Sequence, residues 1–278
     1  NGTDTGSITV NIKGSNDVPT ISDVSISTSE NALTNSTILE IDINSPYALT
    51  NFTYDLDVTD DFNFEMATNS KIGFTLETMD PELLTAFQTN NVAYIKSVAL
   101  QLLAIPEVAT AMSTITDPSA LLLINSLNSA TSVAQLFTIV NSITGVSATI
   151  TASGLSLSIE DASILISKGL LAINIDGSGS YTVESSLFDN LSVNDKVSIS
   201  FDYVANDSGG ATSEAKTITV NIQGSNDAPT VVAAPATTLS ETDFATLAGF
   251  PNAYKIITET EMYSILGAND VDVNDSLT

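Results

Sequence analysis

The chain has 278 residues and a formal net charge of −26, from 33 acids against seven bases, all of them Lys. A phosphate-binding surface needs clustered Lys and Arg, so nucleic acid is excluded as a partner, and an anionic membrane would repel this chain. It holds no His and no Cys, which excludes Ser-His and Cys-His catalysis and zinc sites with the usual ligands.

In chain order, residues 7–13 (SITVNIK) alternate like a strand, and residues 15–19 (SNDVP) read as an acidic linker. Residues 20–76 carry strand patterns at Ile21, Val24 and Ile26, then Ile38, Leu39, Ile41 and Ile43, then Phe52, Tyr54, Leu56 and Val58, with turn residues between. The periodicity then changes. Asp80-Pro81 and Asp117-Pro118 each give an N-cap followed by Pro at the first helical position. Tyr94–Ala104 reads as a helix broken near Ile105-Pro106. Val133, Leu136, Phe137, Val140 and Ile143 fall on one helical face, with Gly145 as the expected stop. Strand patterns return after Thr149: Leu155–Ile159, Leu171–Ile175, Tyr181 and Val183, Val197–Tyr203, and Ile218–Ile222. No apolar run approaches the ~20 residues of a membrane span.

One segment occurs twice. Residues 7–21 (SITVNIKGSNDVPTI) and 217–231 (TITVNIQGSNDAPTV) differ only at Ser7/Thr217, Lys13/Gln223, Val18/Ala228 and Ile21/Val231. A repeat at this long fixed period marks a tandem array. The expected organisation is the end of a preceding repeat and its linker over 1–19, a central module over 20–229, and the start of a next repeat over 230–278. Residues 78–148 form a helical insertion in the central module. They carry four acids and one Lys, a net charge of −3, so the acidic chemistry belongs to the β part.

The acids recur in a fixed order. Asn16-Asp17 and Asn226-Asp227 lie in the linkers. Glu30 and Glu241 follow about 14 residues later. Asp55, Asp57 and Asp60 match Asp270, Asp272 and Asp275. Asp207 stands in the loop VANDSGG before the last strand. Ca²⁺ takes six to eight oxygen ligands from carboxylates, amides and carbonyls. Without a cation, clustered carboxylates repel and raise each other's pKa. The recurrence points to Ca²⁺ as the cofactor.

The motifs SNDVPT and SNDAPT, the run Ser29–Ala32, the Asp-x-Asp sets and the stretch 176–210 resemble cadherin-like, VCBS-type repeats of giant bacterial RTX adhesins. The resemblance implies a mainly β fold of tandem Greek-key β-sandwich modules with Ca²⁺ at the junctions. It does not cover residues 78–148. Carried over, the ligands at one end would be Asn16, Asp17, Glu30, Asp55 and Asp57. At the other they would be Asp207, Asn226, Asp227, Glu241, Asp270 and Asp272. It further implies a non-catalytic, secreted, extracellular module on the bacterial surface. Its partners would be neighbouring repeats of the same chain. A host or biofilm glycan or protein is the alternative ligand, bound through the insertion, although Phe87, Tyr94 and Phe137 are that segment's only aromatic residues. Glycoside hydrolysis by paired carboxylates is disfavoured, because the acids lie at the expected junctions and not in a cleft.

Overall fold

The computed structural model describes residues 5–11, 13–57, 60–78, 81–96, 126, 129–151, 154–231 and 268–269. The fold is mainly β, with several sheets and few helices. The strands are β1 (Thr20–Ile21), β2 (Val24–Ser29), β3 (Ile38–Ile41), β4 (Thr53–Tyr54), β5 (Phe62–Met66), β6 (Gly73–Thr78), β7 (Val146–Thr151), β8 (Gly154–Ile159), β9 (Ala172–Ile175), β10 (Tyr181–Glu184), β11 (Asp195–Asp207) and β12 (Lys216–Gln223). A further pair, β13 (Thr230–Val231) and β14 (Ala268–Asn269), is antiparallel. Among the described residues, the helices include α1 (Pro81–Gln88), α2 (Val133–Val140) and α3 (Ser163–Ser167).

Strand β11 organises the large sheet. Its sequence DKVSISFDYVAND alternates strictly, and every odd-numbered residue from Asp195 to Asp207 is buried. Period-two alternation places those side chains on one face. On one edge β11 pairs with β12, which in turn pairs in parallel with β2. On the other edge it pairs with β6 along Asp195–Ser200 and with β5 along Tyr203–Asp207. Beyond β6 lie β8 and then β7.

A three-stranded sheet, in the order β3-β10-β9, supplies Leu39, Ile41, Tyr181 and Val183 to the same core. The Tyr181 and Phe201 rings meet edge-on, with centroids 6.5 Å apart, so they join the two sheets. Ile199, Phe201, Ile218, Val220 and Ile222 are fully buried, and burying each such side chain stabilises the fold by about 1.5–3 kcal/mol. Tyr203 Oη donates to the Ser22 carbonyl at 2.7 Å, which fixes the chain just before β2.

Several local expectations are corrected. The run Phe52–Val58 is not one strand: β4 ends at Tyr54, and Asp55 Oδ1 accepts from Asp57 N at 2.9 Å, which bends the chain into a turn. The strand signal moves to β5, whose Phe64 is buried. Helix α2 opens as expected for a capped helix, with Ser132 Oγ accepting from Gln135 N at 3.2 Å, but it ends at Asn141. Gly145, in left-handed conformation at φ +76°, instead leads into β7, and strand structure resumes at Val146. The cause is Asn141: its side chain accepts from Ala148 N at 2.6 Å and donates to Ala148 O at 3.2 Å, standing in for a neighbouring strand.

Between β6 and β7, residues 92–96 are also helical. The Phe87 and Phe137 rings pack at 5.7 Å, and Asn90 Oδ1 accepts from Val133 N at 2.8 Å. The expected Asp80 and Asp117 caps and most of the Tyr94–Ala104 helix lie outside the described residues. Among the described residues, no helix is long and apolar enough to cross a membrane.

Candidate metal centre

The inward face of β11 is apolar in the middle and acidic at both ends. Asp195 and Asp207 are its first and last residues, roughly 40 Å apart at about 3.3 Å per residue. Each end meets one of the two copies of the linker.

At the Asp207 end, the turn 55–60, the loop after β11 and linker 15–17 converge. One carboxylate oxygen from each of Asp55, Asp60 and Asp207 lies within 4.8 Å of the others. Asp55 is 9% exposed and Asp207 is 7% exposed. Asp55 Oδ1 is engaged by Asp57 N, and Asp60 Oδ1 accepts from Ser208 Oγ at 2.8 Å. Their other oxygens, Asp55 Oδ2 and Asp60 Oδ2, are buried without a hydrogen-bond partner. Burying an ionised carboxylate with neither partner nor counter-charge is strongly unfavourable. Among the described residues, no Lys lies within ion-pair distance of any of the three. The donor set is therefore all-oxygen, anionic and under-satisfied, which fits a hard divalent cation of the Ca²⁺ type.

Asp207 holds its own orientation tightly. Its Oδ1 accepts from Ala211 N at 2.8 Å and its Oδ2 from Asn16 Nδ2 at 2.9 Å. Burial works to raise its carboxyl. Hydrogen bonds from Ala211 N–H, the Asn16 side chain, and the Gly210 and Gly209 N–H groups outweigh that, and hold it below the usual carboxylate range. Asp57 lies beside the cluster and takes the linker, its Oδ2 accepting from Asp17 N at 2.7 Å. Gly209 makes room for this contact: a Cβ there would run into the Asn16 side chain.

At the Asp195 end, one carboxylate oxygen from each of Glu30, Asp189 and Asp227 lies within 4.8 Å of the others. Glu30, in a 3₁₀ turn directly after β2, is 1% exposed. Its Oε2 accepts from Ser225 N at 3.1 Å and from Ser225 Oγ at 3.3 Å. Gly224 permits the approach, because a Cβ would meet the carbonyls of Leu191 and Ser192.

The expected ligand groups are thus exchanged. Glu30 joins Asp227 and the second linker, not Asn16, Asp17, Asp55 and Asp57. Asp207 joins Asp55, Asp60 and Asn16, not Asn226 and Asp227. The reason is strand direction. Strand β2 carries the chain from the Ile218 level to the Gln223 level of its parallel partner β12 before Glu30 follows, so Glu30 arrives at the far end of the sheet. The Asn226 side chain donates to Asp227 O at 2.6 Å, as Asn16 donates to Asp17 O at 3.2 Å, so the linkers share a local geometry. Glu241, Asp270 and Asp272 lie outside the described residues.

Sequence reasoning missed Asp189. It sits in the 3₁₀ turn Phe188–Asn190, anchored by the fully buried Phe188. No local spacing connects it to Glu30 or Asp227, so only the fold reveals it. No protein-family model matches the chain, and neither a curated protein nor a solved structure is similar to it.

Proposed function

We propose that this chain is a Ca²⁺-stabilised extracellular segment of a large bacterial surface adhesin, built from tandem Greek-key β-sandwiches and acting as a rigid extender. The observation that carries the reading is the buried Asp55–Asp60–Asp207 cluster, two of whose oxygens lack partners, tied directly to the linker through Asn16 and Asp17. A cation held by these carboxylates would neutralise their repulsion and fix the angle at which the chain enters the sandwich.

The two linkers support the same reading from opposite sides. Ser225 and Asp227 engage the sandwich that precedes them, at Glu30 and Asp189. Asn16 and Asp17 engage the sandwich that follows them, at Asp207 and Asp57. Ser225-Asn226-Asp227 repeats Ser15-Asn16-Asp17. One Ser-Asn-Asp linker can therefore hold two consecutive modules at once, with an acidic cluster on either side of it. Such a junction resists bending only while its charge is neutralised, which makes stiffness depend on the cation. The alternating strands and the lack of His and Cys suit a load-bearing role, and we assign no catalysis to the chain.

The deciding experiment is thermal unfolding of the whole chain with Ca²⁺ and with EDTA. Binding to the native state alone adds RT ln(1 + [L]/Kd), about 2.7 kcal/mol at a hundredfold excess over Kd. A clear rise of the midpoint in Ca²⁺ is expected. Identical melts would overturn the reading.

A further inference from the structure

Among the described residues, the tripeptide Asn-x-Ser/Thr occurs as Asn35-Ser36-Thr37, Asn51-Phe52-Thr53, Asn190-Leu191-Ser192 and Asn206-Asp207-Ser208. This tripeptide is the acceptor signal for N-linked glycosylation. Its chemistry makes two demands on a folded chain. The Asn carboxamide nitrogen must reach into a transferase, and the hydroxyl two residues on must be free to be read beside it. A nitrogen or hydroxyl that already donates within the fold has to give up that bond first.

Three of these tripeptides fail both demands. Asn51 Nδ2 donates to Ser45 O at 3.0 Å, and Thr53 Oγ1 donates to Leu49 O at 2.9 Å. Asn190 Nδ2 donates to Ser186 O at 2.9 Å, and Ser192 is buried. Asn206 Nδ2 donates to Glu65 Oε1 at 2.9 Å, and Ser208 Oγ donates to Asp60 Oδ1 at 2.8 Å.

Asn35 meets both. It is exposed at the tip of a tight turn in which Thr37 N donates to Thr34 O at 3.2 Å. Among the described residues, neither the Asn35 carboxamide nor the Thr37 hydroxyl makes a hydrogen bond. Asn35 and Ser36 are both left-handed, at φ +53° and +58°, as at the centre of a type I′ turn. That conformation is unfavourable for a residue with a Cβ. Thr34, Asn35 and Ser36 are not buried, so the tip can open into an enzyme without disturbing the core. Leu33 is buried and holds the base of the turn.

We propose that Asn35 is a glycosylation site, whose partner is a glycosyltransferase using a sugar carried on a nucleoside diphosphate. Asn35 Nδ2 forms a bond to the anomeric carbon of the sugar. The bond from that carbon to the diphosphate oxygen breaks, and its electron pair leaves with the nucleoside diphosphate. One amide proton passes to a base of the transferase. The turn follows the 3₁₀ turn Glu30–Ala32, so the sugar stands at the end of the sandwich from which the second linker leaves. Nothing in the proposal depends on a bound cation.

The test treats the folded full chain with a soluble glycosyltransferase specific for Asn-x-Ser/Thr and with UDP-glucose, followed by peptide mapping by mass spectrometry. The peptide carrying Asn35 is expected to gain one hexose, while those carrying Asn51, Asn190 and Asn206 gain none. Asn35→Gln and Thr37→Ala should each abolish the gain and leave the thermal midpoint unchanged. Thr37→Ala keeps the acceptor nitrogen, so its effect shows that the hydroxyl is read. A proteolytic digest of the same chain serves as the unfolded reference. Modification of Asn35 in the digest but not in the folded chain would overturn the proposal, because the turn would then hide the acceptor. No modification of Asn35 in either would overturn it too, as would a hexose on Asn51, Asn190 or Asn206 of the folded chain in place of Asn35.

Discussion

Asn16 Nδ2 donates to Asp207 Oδ2 at 2.9 Å, which ties the linker to the end of the central strand across 191 residues of sequence. The amide occupies one oxygen of a carboxylate whose cluster also contains Asp55 and Asp60. The linker is thereby attached to the same group of acids that would hold the cation.

Asp55→Asn should make the Ca²⁺ response smaller. It removes one charge from the cluster and keeps nearly the same shape. In EDTA the variant should melt at or above the wild-type midpoint, because the repulsion is reduced. In Ca²⁺ it should melt below the wild type. Paired melts by circular dichroism check both signs. A variant with the full wild-type rise in Ca²⁺ would show that Asp55 is not a ligand.

Gly209→Ala should detach the linker and leave the sandwich folded. The added methyl collides with the Asn16 side chain and not with the core. The Asn16–Asp207 bond should be lost, at about 1.5–3 kcal/mol for a hydrogen bond to a charged group. Hydrogen exchange should accelerate at Asp17 N, which donates to Asp57, and stay slow in β12. Unchanged exchange at Asp17 would refute the steric argument.

Residues 79–153 should be removable as one piece. Thr78, the last residue of β6, is the cross-strand partner of Leu155 in β8. The chain therefore leaves one antiparallel pair and returns to it, and β7 belongs to the excursion. Joining Thr78 to Gly154 through a single Asn should close a two-residue Asn-Gly hairpin of the favoured type between the partners Thr78 and Leu155. The product should be soluble and β-rich, with a cooperative melt. Removal uncovers the outer edge of β8, so the risk is edge-to-edge association. Insolubility, even with Lys substituted at outward positions of β8, would mean that the segment supports the sheet.

Tyr203 should contribute an alkaline limit to stability. Burial, and then the nearby Asp23 carboxylate, push its hydroxyl up to about 12. The folded state therefore keeps a proton that the unfolded chain releases near pH 10. The stabilisation is complete below about pH 10 and is lost as pH rises through about 12. Denaturant titrations across this range, with tyrosinate absorbance as a second probe, should show that loss. Tyr203→Phe should show a shallower one, together with a loss of about 1 kcal/mol at neutral pH from the missing bond to Ser22 O.

The sequence by itself determined the mainly β character, the paired linkers and the core strands. Val197–Tyr203 and Ile218–Ile222 alternate without interruption, and a period of two admits only one buried face. It also identified Asp55, Asp60, Asp207, Glu30 and Asp227 as unusual acids, through their recurrence or their place in a loop. Only the tertiary structure decided which of them meet. Glu30 and Asp207 changed places relative to expectation because β2 runs parallel to β12 and delivers Glu30 to the opposite end of the sheet. Asp189 joined Glu30 because the buried Phe188 anchors its turn there. The helical pattern likewise ends earlier than 148, because β7 begins at Val146 and pairs with β8 in the large sheet. Alternation and recurrence are properties of neighbours along the chain. Strand direction and cross-strand partners are set when non-local hydrophobic faces are buried together, and no local pattern encodes them.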